Sequence, residues 1–471
     1  MLEPTKGHAH PPSLPLETHE GIAPVAVTGE WLAAHLVSDS LRGTILRVAL
    51  PAVASSLLMT LFSSVDAFWV GTRIGAAGLA AVSTSLFWIW MIISLAEMVG
   101  VGLTAVAARR HGERRGEEAS RLAGDTLIFS VLLGTAVAIV GTHQLHALFA
   151  LMHTPPEVTA LGSTYLVTYL LGTPLIYGFF AVDAAFRASG DTKTPFVLLL
   201  ASVAVTLVLD PALMLGLGPF PRLGIAGAAI ATISTRGAAF LMGLVIASRR
   251  KIVRFGRLQL GAIWSVCRVG LPTAVTGITF SLIYIFLTRT TTRFGTPALA
   301  ALGIGHRVES WLFMIGVGFG AATAAIVGQN LGAGRADRAE RAGWMATGFC
   351  TLLGVVAFAL ELTFPRQFAS LFTNDAAVIA ESVKYLRIAA ISQLAVCAEI
   401  VLEGALGGAG DTVPPMLTST ALTAARIPLA GWAANRWGSA GIWWVISLTA
   451  MGRGLAMAAL WRRGGWKRRS V

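Results

Sequence analysis

Charged residues are scarce in this 471-residue chain, at 13% of the total, whereas 55% of the residues are hydrophobic. Soluble domains carry roughly 25% charged residues, and a soluble fold of this length cannot bury so much apolar surface. The composition therefore excludes an ordinary water-soluble protein. Lipid is the alternative solvent, and a helix crosses its hydrocarbon core with roughly 20 mostly apolar residues.

Cysteines and enzyme motifs are also lacking. The three cysteines, Cys267, Cys350 and Cys397, fall on separate predicted helices, with the spacing of neither a disulfide framework nor a thiolate metal site. The motifs HExxH and GxSxG do not occur, nor does an Asp-rich pair. We therefore expect a protein that is not an enzyme and that has no metal site and no cofactor.

Twelve segments are long and apolar enough to cross a bilayer. The 51 glycines suit helices that pack closely in lipid, where association depends on backbone approach. The sequence therefore predicts an all-α integral membrane protein. The predicted spans are 44–69, 79–108, 122–149, 158–186, 194–217, 223–248, 262–291, 297–330, 339–363, 378–407, 413–434 and 438–461.

The net charge of +12 could indicate nucleic-acid binding, but the basic residues follow the predicted topology instead. Twenty lie in the even-numbered connections and the C-terminal tail, and six lie in the odd-numbered connections. This bias predicts cytoplasmic termini by the positive-inside rule and leaves no reason to expect nucleic acid. The first group is Arg109, Arg110, Arg114, Arg115, Arg121, Arg187, Lys193, Arg249, Arg250, Lys251, Arg254, Arg257, Arg335, Arg338, Arg341, Arg462, Arg463, Lys467, Arg468 and Arg469. The second is Arg73, Arg222, Arg289, Arg293, Arg366 and Arg436.

An internal repeat divides the spans into two sets of six. Gly190-Asp-Thr192 recurs 220 positions later as Gly410-Asp-Thr412, and the Leu-Pro pair at Pro51 recurs at Pro272. Six is an even number, so the repeats are parallel. The Gly-Asp-Thr segments are interpreted as helix caps. The predicted parts are a disordered cytoplasmic tail without a signal peptide at 1–43, an N-lobe at 44–248, a basic linker at 249–261, a C-lobe at 262–461 and a basic tail at 462–471.

Ionisable residues within the predicted spans are costly in lipid, so each needs a reason. Asp183 can pair with Arg187 one turn later. Glu309 needs a partner on another helix, and Glu399 or Glu403 can pair with an arginine of the C-lobe. The full set is Asp66, Glu97, Asp183, Asp210, Arg236, Arg307, Glu309, Glu399, Glu403, Arg426 and Arg453.

Asp66 and Asp210 differ from the other acids because they reach a similar predicted depth in one lobe. Their counterparts in the second repeat are apolar, at about Leu287 and at Ile427, so the scaffold does not require acids there. Two carboxylates in a poorly hydrated pocket can take up a proton, because burial and repulsion disfavour two negative charges. Binding of sodium is also compatible with this pair. Alternatively, Asp210 only satisfies the helix break at Pro211.

Several strings together resemble the multidrug and toxic compound extrusion (MATE) family, most of all its DinF-like branch. They are Leu50-Pro51, Val65-Asp-Ala-Phe-Trp-Val-Gly71, Arg187-Ala-Ser-Gly-Asp-Thr192, Leu209-Asp-Pro211 and Gly224-Ile-Ala-Gly-Ala-Ala229 with Ala231-Thr232. The resemblance covers residues 44 to 462. It implies two six-helix lobes and a secondary transporter that exports drugs or small organic metabolites.

The resemblance also implies roles for individual residues. Asp66 would be the main cation-coupling carboxylate and Asp210 its partner, while Pro51 would be the point at which the first span bends. Thr206 stands where family members often carry Asn, and Thr232 matches a cavity hydroxyl only loosely. The acid that sodium-driven members carry in the seventh span is missing here, which favours H⁺ over Na⁺ as the coupling ion.

Two other functions stay open at this stage. A lipid or polysaccharide-precursor flippase of the same superfamily would have a larger and more basic central cavity. A membrane-embedded enzyme is the more distant alternative. For the transporter, we expect small organic, cationic or amphipathic substrates, a monomer in the lipid bilayer, and a multi-pass location in the inner (plasma) membrane.

Overall fold

The computed structural model describes residues 36–74, 76–151 and 156–469, and within these ranges every regular element is helical. The first repeat contains helices α1 to α8, of which α4 is a short helix after the third span. They are α1 (Leu41–Arg73), α2 (Ala76–Gly112), α3 (Gly116–His143), α4 (Leu145–Leu151), α5 (Pro156–Leu171), α6 (Thr173–Ser189), α7 (Lys193–Leu215) and α8 (Ile225–Arg249).

The second repeat follows the same order, and α12 is its short helix after the ninth span. Its helices are α9 (Leu260–Thr291), α10 (Thr296–Gly332), α11 (Ala336–Thr363), α12 (Pro365–Ser370), α13 (Ala376–Ala390), α14 (Gln393–Gly408), α15 (Val413–Ala424), α16 (Arg426–Trp437) and α17 (Ser439–Arg463). Short 3-10 helices follow α9 at Thr292–Phe294 and α17 at Gly465–Arg468.

Four predicted spans are not continuous helices, and this corrects the sequence prediction. The third, predicted as 122–149, ends as a helix at His143, and its last predicted residues belong to the separate helix α4. The fourth bends by 51° between α5 and α6, and the tenth bends by 57° between α13 and α14. The eleventh divides at Ala425 into α15 and α16, of 12 residues each. Of the described helices, nine pass a test of length and apolarity for a membrane span, and counting each bent pair as one gives 11. The all-helical membrane fold is confirmed.

The two repeats match in detail. The bends of the fourth and tenth spans occupy equivalent places, as do α4 and α12. Thr192 donates a hydrogen bond to the carbonyl of Val48 at 2.9 Å, and Thr412 makes the same bond to the carbonyl of Val269 at 2.7 Å. Each Gly-Asp-Thr turn therefore holds the first helix of its own repeat in the same way.

Large apolar side chains are exposed on many outer helix faces. In water such a surface would drive aggregation, whereas lipid solvates it. Among these exposed residues are Leu50, Leu132, Val208, Leu260, Leu352 and Leu455.

The two lobes meet near the end of the bundle that holds both described termini, which we call the basic end. Here α2 packs along α9 and α10. A side chain at Gly270 would overlap the carbonyl oxygen of Met98, so glycine allows the two backbones to touch. Gln329 of α10 donates to the carbonyl of Ala188 in the first lobe at 2.7 Å. The lobes are thus closed against each other at this end.

The predicted terminal tails are partly ordered at the basic end. The sequence predicts a disordered tail over 1–43, of which 1–35 lie outside the described residues. In the remainder, Leu36 is buried and Arg335 donates to the carbonyl of Val37 at 3.0 Å. The start of the described chain therefore contacts the second lobe through Leu36, Val37 and Asp39. In the C-terminal tail, Trp466 is buried and stacks on Trp461 with ring centroids 3.9 Å apart.

Candidate functional site

Asp66 and Asp210 meet inside the first lobe. Asp66 lies on α1 and is 8% exposed, and Asp210 lies on α7 and is 2% exposed. The two helices pack against each other, which brings the carboxyl groups close enough for a hydrogen bond between them. Such a bond requires a proton on one of the two groups, because ionised carboxylates only accept.

Each acid keeps unused bonding capacity. The Oδ1 atoms of Asp66 and Asp210 are both buried and have no hydrogen-bond partner among the described residues. An unsatisfied buried oxygen is expensive, so the pair is suited to binding a positive species. Asp210 lies within α7, which continues through Pro211 to Leu215, so it does not cap a helix end at this proline.

Two tyrosines of α5 are buried in a cluster with Val70 of α1 and Met214 of α7, one turn beyond each acid, and the sequence analysis gave neither tyrosine a role. Tyr165 and Tyr169 are buried in the core of the first lobe, and Tyr165 lies within electrostatic range of Asp66 and of Asp210. The only signal in the sequence was the repeat of Tyr165-Leu166 at Tyr385, which did not reveal what the ring touches.

The predicted supporting threonines are arranged differently from the expectation. The Thr206 hydroxyl donates to the carbonyl of Ser202 at 2.7 Å and lies 2.6 Å from the Thr235 hydroxyl. Thr232 is only half-buried, and its carbonyl accepts from Thr235 at 3.2 Å. The hydroxyl partner of Thr206 on α8 is therefore Thr235, one turn after the predicted residue.

Pro51 lies inside α1, which is assigned as one helix from residue 41 to residue 73. Its carbonyl accepts from the Ser55 hydroxyl at 2.9 Å. Fifteen residues separate Pro51 from Asp66, which corresponds to about 22 Å along a helix. Any effect of the acid pair on the proline must therefore travel along α1, because the two do not touch.

Most other intramembrane acids have structural partners. Asp183 pairs with Arg187 at 2.8 Å, as predicted, and Glu399 pairs with Arg453 at 2.8 Å. Glu309 accepts a hydrogen bond from the hydroxyl of a tyrosine on another helix, Tyr385, at 3.0 Å. The pair of Asp183 lies within α6, and the contacts of Glu309 and Glu399 tie two helices together.

The Gly-Asp-Thr turns do more than cap helices. Gly190 and Gly410 adopt φ angles of 94° and 78°, the left-handed conformation in which glycine ends a helix. Asp191 accepts from the backbone N–H of Lys193 and Thr194 at 3.0 Å each, which caps α7. Asp191 also pairs with Arg250, and Asp411 with Arg469, at 2.8 Å in both cases. Each turn therefore anchors the basic segment that follows its own lobe.

A metal centre is not indicated by the described part of the chain. Within it, no group of three or more His, Cys, Asp or Glu side chains could hold a metal ion. All three cysteines are free. The acid pair is therefore the candidate functional site, and its chemistry is that of binding a proton or a monovalent cation.

Comparisons with known proteins agree with this fold. The family model MatE matches residues 51–212 and 272–432, one match in each repeat. The probable multidrug resistance protein YoeA of Bacillus subtilis is 27% identical over 389 residues, which are 81% of this chain and 84% of that protein. A protein of Shewanella oneidensis named FAD transporter is 29% identical over 349 residues, 73% of this chain and 77% of that protein.

The fold also matches solved structures. One is titled "Outward-facing conformation of a multidrug resistance MATE family transporter of the MOP superfamily". It is 23% identical, covers 93% of this chain and 99% of its own, and superposes with a TM-score of 0.86. At this identity the match shows the architecture of two repeated lobes.

Proposed function

The chain belongs to the multidrug and toxic compound extrusion (MATE) family, and from this premise we propose that it is an antiporter that exports small organic molecules in exchange for protons. Asp66 and Asp210 are the proposed coupling carboxylates. Members of this family are efflux transporters rather than enzymes, and they need no cofactor.

The observation that carries the proposal is the contact between the two buried acids. In the second repeat the equivalent positions are Leu287, which is buried in an apolar cluster, and Ile427, which is 39% exposed. The fold is thus built without acids at these places in one lobe and with a pair of acids in the other. A costly pair that the scaffold does not need is best explained by transport.

Protons are favoured over sodium because the acid that sodium-driven members of the family carry in the seventh span is missing here. A sodium ion needs several oxygen ligands beyond the two carboxyl groups. A proton needs only the two carboxyl groups. When both acids are ionised their charges repel, and uptake of a proton relieves this repulsion.

The transport cycle then follows from alternating access. The lobes are closed at the basic end. In the proposed orientation the protein lies in the inner (plasma) membrane and its basic end faces the cytoplasm. In this state the acid pair takes up a proton from outside, and substrate leaves. Opening of the basic end exposes the pair to the cytoplasm, where the proton is released. We propose that the monomer carries out the whole cycle.

The coupling ion can be identified with purified protein in liposomes. A fluorescent cationic dye is trapped on one side, and a proton gradient or a sodium gradient of equal size is imposed separately. We expect the proton gradient to drive dye transport and the sodium gradient at constant pH to leave it at the rate of empty liposomes. Transport that follows sodium alone would contradict proton coupling, and transport with neither gradient would contradict antiport.

A further inference from the structure

Arg236 is a buried cation in the interior of the first lobe. It lies near the middle of α8 and is 7% exposed. A guanidinium stays charged in proteins, and a charge in the membrane interior is expensive unless something compensates it. Its partners therefore decide what this residue does.

The partners of Arg236 among the described residues carry no negative charge. Nη2 donates to the sulfur of Met59 at 2.7 Å, and the guanidinium lies 5.4 Å from the centre of the Phe179 ring. Sulfur is a weak acceptor, and a guanidinium has five N–H donors. Asp183, one turn beyond Phe179, acts on Arg236 electrostatically but forms its ion pair with Arg187 at 2.8 Å. Within the described ranges, Arg236 has no carboxylate within 4.0 Å.

The arginines inside the second lobe donate to oxygen acceptors, not to a sulfur. Arg453 pairs with Glu399 at 2.8 Å. Arg426 donates to the Thr449 hydroxyl at 2.7 Å and to the carbonyl of Ile446 at 3.4 Å. Arg236 therefore differs from the arginines that tie the helices of that lobe together.

Arg236 and the acid pair lie at different depths inside the first lobe. Its contact Met59 precedes Asp66 by two turns of α1, which places the guanidinium about 10 Å closer to the basic end. Tyr165 and Tyr169 of α5, one turn apart, are buried in the same lobe. The lobe thus contains two carboxyl groups at one depth and a guanidinium group at another.

We propose that Arg236 binds an anionic oxygen group, a carboxylate or a phosphate, of the exported molecule. This inference rests on the proposed export function and extends it to zwitterionic and anionic substrates. Arg binds such groups through two parallel N–H···O bonds, and the bound group supplies the negative charge that the protein does not. The thioether and ring that hold the guanidinium orient it without neutralising it.

Binding of matched dyes to the purified full chain tests the proposal. One pair is rhodamine 110, which has a free carboxylate, and rhodamine 123, its methyl ester. The other is riboflavin phosphate and riboflavin. Fluorescence polarisation gives each Kd.

We expect the wild type to prefer the oxyanion member of at least one pair. Arg236→Gln should weaken that member about tenfold, as for loss of a charged hydrogen bond, and leave the member that lacks the oxyanion within about twofold. Arg236→Lys should keep most of the preference.

A matched control is Arg436→Gln, because Arg436 also lies over an aromatic ring, 5.0 Å from the centre of Trp432, but on the exposed surface of the other lobe. This variant should leave all four affinities unchanged. Equal losses for both members of a pair in Arg236→Gln would overturn the proposal and indicate a structural role, as would a wild type without a preference in either pair. A preference for the oxyanion that persists while liposome transport fails would support the anion site and reject only the export function.

Discussion

Single carboxyl groups in the membrane have two kinds of environment in this protein. Asp183, Glu309 and Glu399 are held by partners on the protein, at distances of 2.8 to 3.0 Å. Asp66 and Asp210 face each other and keep oxygen atoms without donors. The acids with partners stabilise the fold, whereas Asp66 and Asp210 have oxygen atoms free to bind an ion. Substitutions should therefore affect stability in one case and transport in the other.

Glu399→Gln is expected to lower stability more than transport. The substitution removes the carboxylate that lies 2.8 Å from Arg453. Breaking a buried ion pair lowers the free energy of unfolding by about 3 kcal/mol. Glu403→Gln should cost less, since no ion pair joins Glu403 to another described residue. Thermal unfolding in detergent, together with transport per folded molecule, checks both. A normal unfolding temperature with abolished coupling in Glu399→Gln would place this glutamate in the transport site instead.

The sequence predicts that Asp66 and Asp210 lie close together, because charge in an apolar span is visible without a structure and the repeat shows that the scaffold can do without it. The structure brings the two acids together, and their role in coupling stays a prediction. The same reading was less successful for neighbours. Thr235 was missed and Thr232 chosen because a one-turn shift on α8 changes which hydroxyl faces α7. Tyr165 and Tyr169 were missed because an aromatic residue in a span has an ordinary packing role in most cases.

At the scale of elements, helix ends were more predictable than helix bends. The Gly-Asp-Thr turns are local, so their residues reveal the caps of α7 and α15. The break between α13 and α14 falls at Ile391 and Ser392, where neither proline nor glycine marks it. These helices pack against α10, α11 and α17, and this packing determines the bend. Such tertiary contacts cannot be predicted from one sequence.

The close approach of α2 and α9 should depend on glycine. Gly270→Ala places a methyl group against the carbonyl of Met98, so we expect the lobes to separate at the basic end. Gly261→Ala on the same helix has open space around it and is the matched control. Spin labels at Glu118 and Asp337, both exposed, report the distance between the lobes at this end. An unchanged distance distribution in Gly270→Ala, equal to that of Gly261→Ala, would contradict the role given to this contact.

At the scale of the whole molecule, the basic residues form one face of the bundle. Arg109 of the first lobe donates to the carbonyl of Arg469 in the C-terminal tail at 2.7 Å, and Arg254 pairs with Glu117 at 2.7 Å. These contacts bring predicted cytoplasmic connections of both repeats together. The charge bias in the sequence and the three-dimensional arrangement therefore support the same orientation.

Orientation can be tested with single cysteines in a cysteine-free background. Gly256 has open space around it and lies at the basic end, whereas Asn374 is exposed at the opposite end. Gly112 is unsuitable, because a side chain there would overlap the carbonyl of Gln329. In intact cells an impermeant maleimide should label Asn374→Cys and not Gly256→Cys, with the reverse in inside-out vesicles. The opposite pattern would invert the molecule and the direction of transport.

The central claim is that the two acids of the first lobe couple substrate export to proton entry. Asp66→Asn should fold, because a neutral amide costs less in lipid than a charge, and Asp210→Asn should impair coupling similarly or somewhat less.

The most direct measurement is dye transport by Asp66→Asn in liposomes with an imposed proton gradient, normalised to the amount of folded protein and compared with Glu403→Gln. We predict that the gradient no longer accelerates transport in Asp66→Asn, whereas it does so in Glu403→Gln. Gradient-driven transport at the wild-type rate in Asp66→Asn would contradict the account.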